Sequence, residues 1–489
     1  MTDLAFRSAV ELAQLVRDRA TSATELVQLY SGRIESLDRT LNAVVVRDFD
    51  AAREQARVLD GELEAGTVRG PLHGVPLTVK ESYDVAGLPT TWGIRAFEKN
   101  VPSEDAAVVR RLRSAGAIVL GKTNVPVACS DYQSYNDLYG TTCNPWDLSR
   151  TPGGSSGGSA AALAAGFSAL ECGSDLAGSI RLPAHFCGVL GHKPTYGIVP
   201  AAGHALPGSC AEQDLVVCGP MARSARDLEL ALTLLAGPEP RGSSAWRLPL
   251  PRPRWRALSE LRVAVWPSHD LSPPEAAIAA RVSDVGARLA RLGAKVSDQA
   301  RPEIDVEAAH ATYLSLMMAL NGAALPESVY RQLQEQAPQI DPHDRSRRSV
   351  VRRAAVMTHR DWLRHHEQRC RIRAKWAAFF REWDVLLCPA MTTTAFPHDH
   401  TPFEARMLKI DGEMRSYHDQ SLWSGLATAA YLPSTVFPTG LSREGLPIGV
   451  QAIGPELSDL ETIQVARLYA QELGGFERPS LEPVLEEQG

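Results

Sequence analysis

The sequence is poor in the features that announce a membrane span, a disulfide scaffold or a nucleic-acid binder. No apolar stretch approaches the roughly 18 residues that suggest a spanning helix. The most apolar run, around Ala160 to Leu170, carries glycine and serine and reads as a buried helix. There is no CxxC pair. Eight cysteines, at positions 129, 143, 172, 187, 210, 218, 370 and 388, are dilute in 489 residues, which reads as reduced thiols in a cytoplasmic protein. Nor is there a basic excess: 51 Lys and Arg face 57 Asp and Glu, a net charge of −6, which argues against a large nucleic-acid footprint. The start, Met1-Thr2-Asp3-Leu4-Ala5-Phe6, has no basic region followed by an apolar run, so no secretory signal is expected. Internal repeats and low-complexity tails are also missing.

What the chain does have is alternation. Ser8-Ala9-Val10-Glu11 and Ser22-Ala23-Thr24-Glu25 match the capping box and predict helices over Ala9 to Arg19 and Ala23 to Leu37. A third helix is expected from Phe49 to Glu64, so residues 1–66 read as a helical cover. From Pro71 onward short apolar strands alternate with helices: strands at Pro76 to Val79, Ala117 to Leu120 and Ser168 to Gly173, helices at Asp105 to Ala115 and Ala225 to Leu235. Such alternation favours an α/β sheet with helices on both faces. Arg241 to Trp255, rich in proline and arginine, reads as a surface connection. Arg262 to Trp266, a helix over Glu275 to Leu292, and Ala294 to Val296 repeat the alternation. Residues 302–380 read as a helical insertion. Asp384 to Pro389, Thr435 to Pro438 and Ile448 to Ile453 are further strands, and Ser458 is expected to cap a last helix.

Three stretches carry the chemistry. The first is Thr151-Pro152-Gly153-Gly154-Ser155-Ser156-Gly157-Gly158-Ser159, leading straight into the helix-forming run that starts Ala160-Ala161. The second is Gly173-Ser174-Asp175-Leu176-Ala177-Gly178-Ser179-Ile180-Arg181. The third, His73 to Lys80, ends an apolar run in a lysine. A serine hydroxyl is a weak nucleophile and needs a neighbouring base. Neither serine motif contains a histidine. His185, six residues past Ser179, reads as a packed histidine. A lysine alone at a strand end would read as a salt-bridge partner. Free lysine is a poor base at neutral pH, but desolvation by the apolar run before Lys80 lowers its pKa.

Motif and spacing together resemble the amidase signature hydrolases, which use a Ser–Ser–Lys triad. The resemblance is densest from about Pro71 to Pro220 and returns at Asp384 to Pro397 and Leu432 to Gln451. It implies a single large α/β domain over residues 1–489, with a mixed central sheet covered by helices on both faces. The catalytic core falls in 71–220, the helical insertion at about 302–380 and the C-terminal part of the core in 384–489. It implies a catalytic triad of Lys80, Ser155 and Ser179, with a cis peptide between Gly154 and Ser155. The backbone N–H groups of Leu176, Ala177, Gly178 and Ser179 would form the oxyanion hole. The commoner family pattern has glycine where Ala177 stands. Asp175 and Arg181 are expected to anchor the loop, and Lys193-Pro194-Thr195 to pack. By the same resemblance Cys129, Ser130, Asp131 and Gly154 would contact substrate. Gly203 to Cys210, Tyr313 to Leu320 and Trp423 are further candidate walls.

Two literal motif matches are set aside. Gly116-Ala117-Ile118-Val119-Leu120-Gly121-Lys122-Thr123 fits a P-loop pattern, but its variable positions are themselves the expected strand, and Pro126 follows in place of a helix. His398-Asp399-His400 has no third ligand at metal spacing. The expectation is therefore an amidase without cofactor or metal, a monomer or homodimer, acting on a small-molecule amide or carbamate and on no nucleic acid or membrane. The alternative is the amidotransferase subunit of an aminoacyl-tRNA transamidation complex, whose catalytic subunit shares these motifs. Asn136 to Asp147, with Phe186 to Val189, sides with stand-alone amidases on small amides, anilides and carbamates.

Overall fold

Local chemistry sets the helix starts. In a computed structural model, which describes residues 3–481 except 240, 241, 243 and 345, both capping boxes form. Ser8 and Ser22 each accept from the backbone of the glutamate three residues on, and Glu11 and Glu25 return the bond. These start α1 (Ala9–Arg17) and α2 (Ala23–Leu41). The ends of the 1–66 and 384–489 segments, part of the 241–255 connection and one insertion residue lie outside the described residues.

The chain then builds β1 (Val44–Arg47), α3 (Phe49–Glu64), β2 (Pro76–Lys80), α4 (Ala107–Ser114), β3 (Ile118–Thr123) and a small hairpin, β4 (Tyr135–Asn136) and β5 (Gly140–Thr141). Next come α5 (Gly157–Ala164), β6 (Leu170–Asp175), α6 (Arg181–Cys187), β7 (Leu190–Lys193), β8 (Val217–Ala222) and α7 (Ala225–Leu235). After the connection follow β9 (Arg262–Val265), α8 (Ala276–Arg291), β10 (Lys295–Ser297) and the insertion helices α9 (Val306–Gly322), α10 (Glu327–Gln336), α11 (Arg347–Ala354) and α12 (His359–Phe379). The chain returns through β11 (Val385–Pro389), a hairpin of β12 (Met407–Ile410) and β13 (Glu413–Ser416), α13 (Ser421–Ala429), β14 (Ser434–Leu441), β15 (Pro447–Ile453) and α14 (Asp459–Leu473).

Eight strands form the main sheet in the order β10-β9-β11-β15-β14-β7-β8-β6, with β9 parallel to β10 and β11 and the other pairs antiparallel. A second sheet, β1-β3-β2, is also mixed. Side chains join β2 to β6: Thr78 N–H donates to Ser168 Oγ at 2.9 Å, the Thr78 hydroxyl binds Glu171, and Tyr83 OH donates to Gly173 C=O at 2.6 Å. This puts the end of β2, with Lys80, beside the end of β6.

Helices cover both faces, as alternation along a strand demands. Phe437 of β14 lies against Tyr469 of α14, with 5.0 Å between ring centroids, in the core cluster that also holds Leu228 of α7 and Ala466 of α14. Its neighbour Val436 packs on the other side with Ala160 of α5 and Ala184 of α6. No helix among the described residues is long and apolar enough to cross a membrane.

Several elements differ from the sequence expectation. The 1–66 segment is not purely a helical cover, because β1 pairs with β3. Strands β7 and β8 and the β12–β13 hairpin are additions. Ser458 precedes α14 but makes no side-chain cap. The P-loop match is indeed strand β3. A Cβ on Gly121 would stand 2.1 Å from Val46 O, so glycine there permits the approach of β1. Lys122 is buried and bonds Thr90 Oγ1 at 2.8 Å and Pro89 O.

Candidate active site

Lys80, at the buried end of β2, donates to two hydroxyls: Ser155 Oγ at 2.6 Å and Ser174 Oγ at 2.9 Å. Its side chain is fully buried. Burial pushes its pKa below the ordinary 10.5, against the opposing pull of Cys129, Asp175 and Cys218. The amine thus has few solvent partners and a weakened hold on its proton.

The glycine–serine loop supplies Ser155. Its Gly154–Ser155 peptide is cis. Gly154 is required by close approach, since a Cβ there would stand 2.5 Å from Asp131 O. The loop is tied to the second serine segment through Ser156, whose N–H donates to Ser179 C=O at 3.1 Å. Ser156 makes no helix cap with its side chain; its hydroxyl sits 3.4 Å from both Ser174 N and Ser174 O. Ser159 Oγ pairs with Thr123 Oγ1 at 2.8 Å. The first hydroxyl thus ties the serine loop to β6 and the second ties α5 to β3.

Ser179 is the least buried of Lys80, Ser155 and Ser179, at 8% exposure against 0% and 1%. Among the described residues its Oγ has no protein hydrogen bond, so the hydroxyl is unengaged. The preceding turn is shaped by Asp175, whose Oδ1 accepts from Gly178 N–H at 2.9 Å and whose Oδ2 accepts from Ile180 N–H at 3.1 Å. Of the four expected oxyanion donors, the Gly178 N–H is therefore engaged by Asp175 in this structure. Among the described residues the N–H groups of Leu176, Ala177 and Ser179 have no protein acceptor. The left-handed backbone falls on Gly178, at φ 102°, and not on Ala177, so the alanine is accommodated without strain.

Asp175 and Arg181, both with 0% side-chain exposure, lock this turn to the sheet. Arg181 meets Asp175 through Nε at 3.0 Å and Nη2 at 2.8 Å, and reaches Ser424 O, Gln451 Oε1 and Thr428 Oγ1 at 2.9, 2.7 and 2.9 Å. Burial alone would raise the Asp175 carboxyl, but the guanidinium overrides it and holds it at about 2. Removing one member of such a pair strands the other charge. Arg181→Leu is therefore expected to destabilise the fold by about 3–5 kcal/mol. A denaturant midpoint that barely moves would contradict this.

The expected substrate contacts divide. Cys129 stands near Lys80, as its effect on that amine requires, in a turn where Ala128 and Cys129 have φ 53° and 56°. Ser130 is exposed and bonds Ala128 O at 3.1 Å. The Asp131 carboxylate is taken by Arg406 and Tyr417, each at 2.6 Å, so both of its oxygens are engaged within the protein. Trp423 is not a wall. Its ring is buried against Trp266 in a core cluster, and its Nε1 donates to Ser272 O at 2.9 Å. Tyr313 and Met317 of α9 do pack with Leu176 and Ala177 of the serine loop, as does Leu215. From the 203–210 loop, His204 packs on Tyr83 and Trp92 and pairs with Ser82 at 3.1 Å.

His185 is no base. Its Nδ1 accepts from Gly449 N–H at 2.7 Å, which leaves Nε2 to donate to Thr393 O at 3.0 Å, and burial pushes it down to about 4. Lys193 is buried, and among the described residues its amine bonds only its neighbour Pro194 O, at 2.8 Å, consistent with packing. The His400 ring stacks on Tyr135 at 4.0 Å. Among the described residues no His, Cys, Asp or Glu cluster gathers the three ligands a metal needs. A cavity of about 770 Å³ between α7, residues 248–256 and α14 contains none of the serine or lysine residues above.

Ser174, bonded to Lys80, and Tyr313, bonded to the Leu176 carbonyl, are the contacts around the serine loop that sequence reasoning reaches least well. Ser174 lies within the second serine motif, but nothing in the spacing assigns it to the lysine. Tyr313 reads only as a wall residue on a helix.

Comparison with known proteins fits this geometry. A family model described as Amidase matches residues 25–463. A glutamyl-tRNA(Gln) amidotransferase subunit of Acidothermus cellulolyticus is 33% identical over 482 residues, covering 94% of this chain and 93% of the relative. A chain from a vestigial protein complex that bears on the origins of an s-triazine catabolic enzyme superposes with a TM-score of 0.80 at 29% identity, covering 97% of this chain and 100% of that one. The 6-aminohexanoate cyclic dimer hydrolase, solved with substrate, gives a TM-score of 0.78 at 27% identity, covering 98% and 99%. With a family model spanning most of its length around the Lys80, Ser155 and Ser179 arrangement, the chain belongs to the amidase family, the amidase signature enzymes.

Proposed function

We propose that the chain is a stand-alone hydrolase of carboxamide-type C–N bonds, acting on small amides, anilides and aryl carbamates through an acyl-enzyme on Ser179. The observation that carries this reading is the fully buried Lys80 amine held 2.6 Å from Ser155 Oγ, one loop away from an unengaged Ser179 hydroxyl.

The steps follow from the donors and acceptors present. Ser179 Oγ attacks the substrate carbonyl and passes its proton to Ser155 Oγ, which passes its own to the neutral Lys80 amine. A serine hydroxyl can accept and donate at once, so it can bridge. The bond between the two serines forms as substrate arrives, since catalytic hydrogen bonds tighten in the complex. The N–H groups of Leu176, Ala177 and Ser179 receive the developing oxyanion. The tetrahedral adduct collapses, the C–N bond breaks, and the leaving nitrogen takes the proton back along the same path. Water then attacks the acyl-enzyme, giving its proton to the relay, and the free acid and Ser179 are released.

A second reading, an amidotransferase subunit working on aminoacyl-tRNA, is favoured by the names of the curated relatives. The net charge of −6 gives no electrostatic support for a large RNA footprint. The two readings separate in one experiment. The purified chain alone, in EDTA and without ATP, is expected to hydrolyse members of a panel of anilides, aliphatic amides and aryl carbamates. Silence on the whole panel, with glutamine-dependent transamidation of misacylated tRNA once partner subunits are added, would move the function to the second reading.

A further inference from the structure

We propose that Tyr313, on the first helix of the insertion, is the positioning residue that aims the oxyanion-hole N–H of Ala177. The inference rests on the acyl-enzyme reading of Ser179 and deepens it. Tyr313 OH donates to the Leu176 carbonyl at 3.1 Å. That carbonyl and the N–H of Ala177 belong to one planar peptide unit, and in a trans peptide the two point in opposite directions. Fixing Leu176 O therefore fixes the direction of the Ala177 N–H. Among the described residues this N–H has no protein acceptor, as an oxyanion donor waiting for charge requires.

The neighbouring peptide offers an internal comparison. Ser424 Oγ donates to Ala177 O at 3.0 Å, but the N–H of that unit, on Gly178, is taken by Asp175 Oδ1. Of these two hydroxyls, Tyr313 acts on the peptide whose N–H has no protein acceptor among the described residues. The ring itself cannot swing. It is fully buried, and a Cβ at Gly425 of α13 would stand 2.7 Å from its Cδ1, so α13 closes on it as tightly as glycine allows. Burial also raises the phenol well above its ordinary range, which keeps it a donor throughout the working pH. Without the hydroxyl, the Leu176 carbonyl loses the only side-chain donor it has among the described residues, and the peptide plane loses its tether.

The test is Y313F, which removes one oxygen and keeps the ring. The readouts are kcat and KM on a turned-over anilide, the affinity of phenylboronic acid, which places an anionic oxygen in the hole, and the melting midpoint. Deleting an oxyanion donor outright costs about 10²–10³ in kcat, so misaiming one is expected to cost about 10- to 100-fold. KM should change by less than about threefold, boronate affinity should fall by the same factor as kcat, and the midpoint should stay close to that of the parent chain. Unchanged kcat overturns the inference, and so does a fall in kcat with undiminished boronate affinity. A Y313F chain that does not fold also overturns it, since the hydroxyl would then support the core and not one peptide plane. A fluorophosphonate probe keeps the two readings apart. No adduct at Ser179 in the parent chain removes the acyl-enzyme reading, whereas an adduct there with normal Y313F turnover removes this inference alone.

Discussion

Ser179→Ala is expected to lower amide turnover by on the order of 10⁴-fold or more while leaving the fold in place. The substitution deletes one hydroxyl that has no protein hydrogen bond among the described residues, so no buried partner is stranded. Its backbone C=O still accepts from Ser156 N–H, and the turn is still held by Asp175 and Arg181. The loss should appear in kcat, with ground-state binding retained. Mass spectrometry of the parent chain after treatment with a serine-directed probe should find the adduct on Ser179. An adduct on Ser155 or on Cys129, or a variant with measurable wild-type-like turnover, would remove Ser179 as the nucleophile.

Lys80→Met is expected to reduce amide hydrolysis by about 10²–10⁴-fold, because both proton transfers lose their base. Methionine nearly conserves volume in this buried slot, so the test falls on the amine and not on a cavity. Ester hydrolysis should fall less, since an alkoxide leaves with less help from a proton than an amine does. The pH profile gives an independent sign. The neutral amine is the active form, and burial lowers its pKa below the ordinary 10.5. The rate of the parent chain should therefore rise with pH and reach its plateau before the range where a free lysine titrates. At low pH the ammonium form accumulates and the rate falls. A profile flat from about pH 6 to 10 would count against a lysine base, as would a limb still rising past the ordinary lysine value.

Much of this is legible in the sequence because local rules and global packing agree. The two capping boxes form as written, and Ala225–Leu235 is a helix with the bounds its pattern gives. Lys80 meets Ser155 because the apolar run Val75 to Val79 carries β2 into the interior, where its last side chain bonds Ser155 and Ser174. What stays hidden has tertiary causes. Strand β7 is Leu-Gly-His-Lys and β8 contains Gly219 and Pro220, poor strand formers that extend only because neighbours on both sides pair with them. The β12–β13 hairpin turns through Asp411 and Gly412, both at positive φ, a turn signal that is legible locally, but its two strands pair only with each other and belong to no sheet pattern that runs through the chain. The use of the Gly178 N–H by Asp175 depends on a rotamer set by Arg181, and no spacing rule contains it. Trp423 reads as a wall and is core, because a tryptophan at helical spacing looks the same in both settings.

The position of α9 in the chain has a consequence for descent. The lysine, the serines and the acidic anchor of the turn all lie between residues 80 and 181, on strands and loops of the sheet, whereas Tyr313 arrives from an excursion between β10 and β11. Such an excursion can be lengthened, shortened or exchanged without disturbing the strand pairing on either side of it. Here the same excursion carries the phenol that touches the nucleophile's own loop. Drift toward a new substrate through this segment is then not free of the rate. Variants that remodel α9 but keep a hydroxyl at 313 should retain turnover, and those that lose it should need a compensating donor elsewhere. Selection for new specificity in this chain would accordingly leave its trace as a tyrosine held fixed in an otherwise changeable helix.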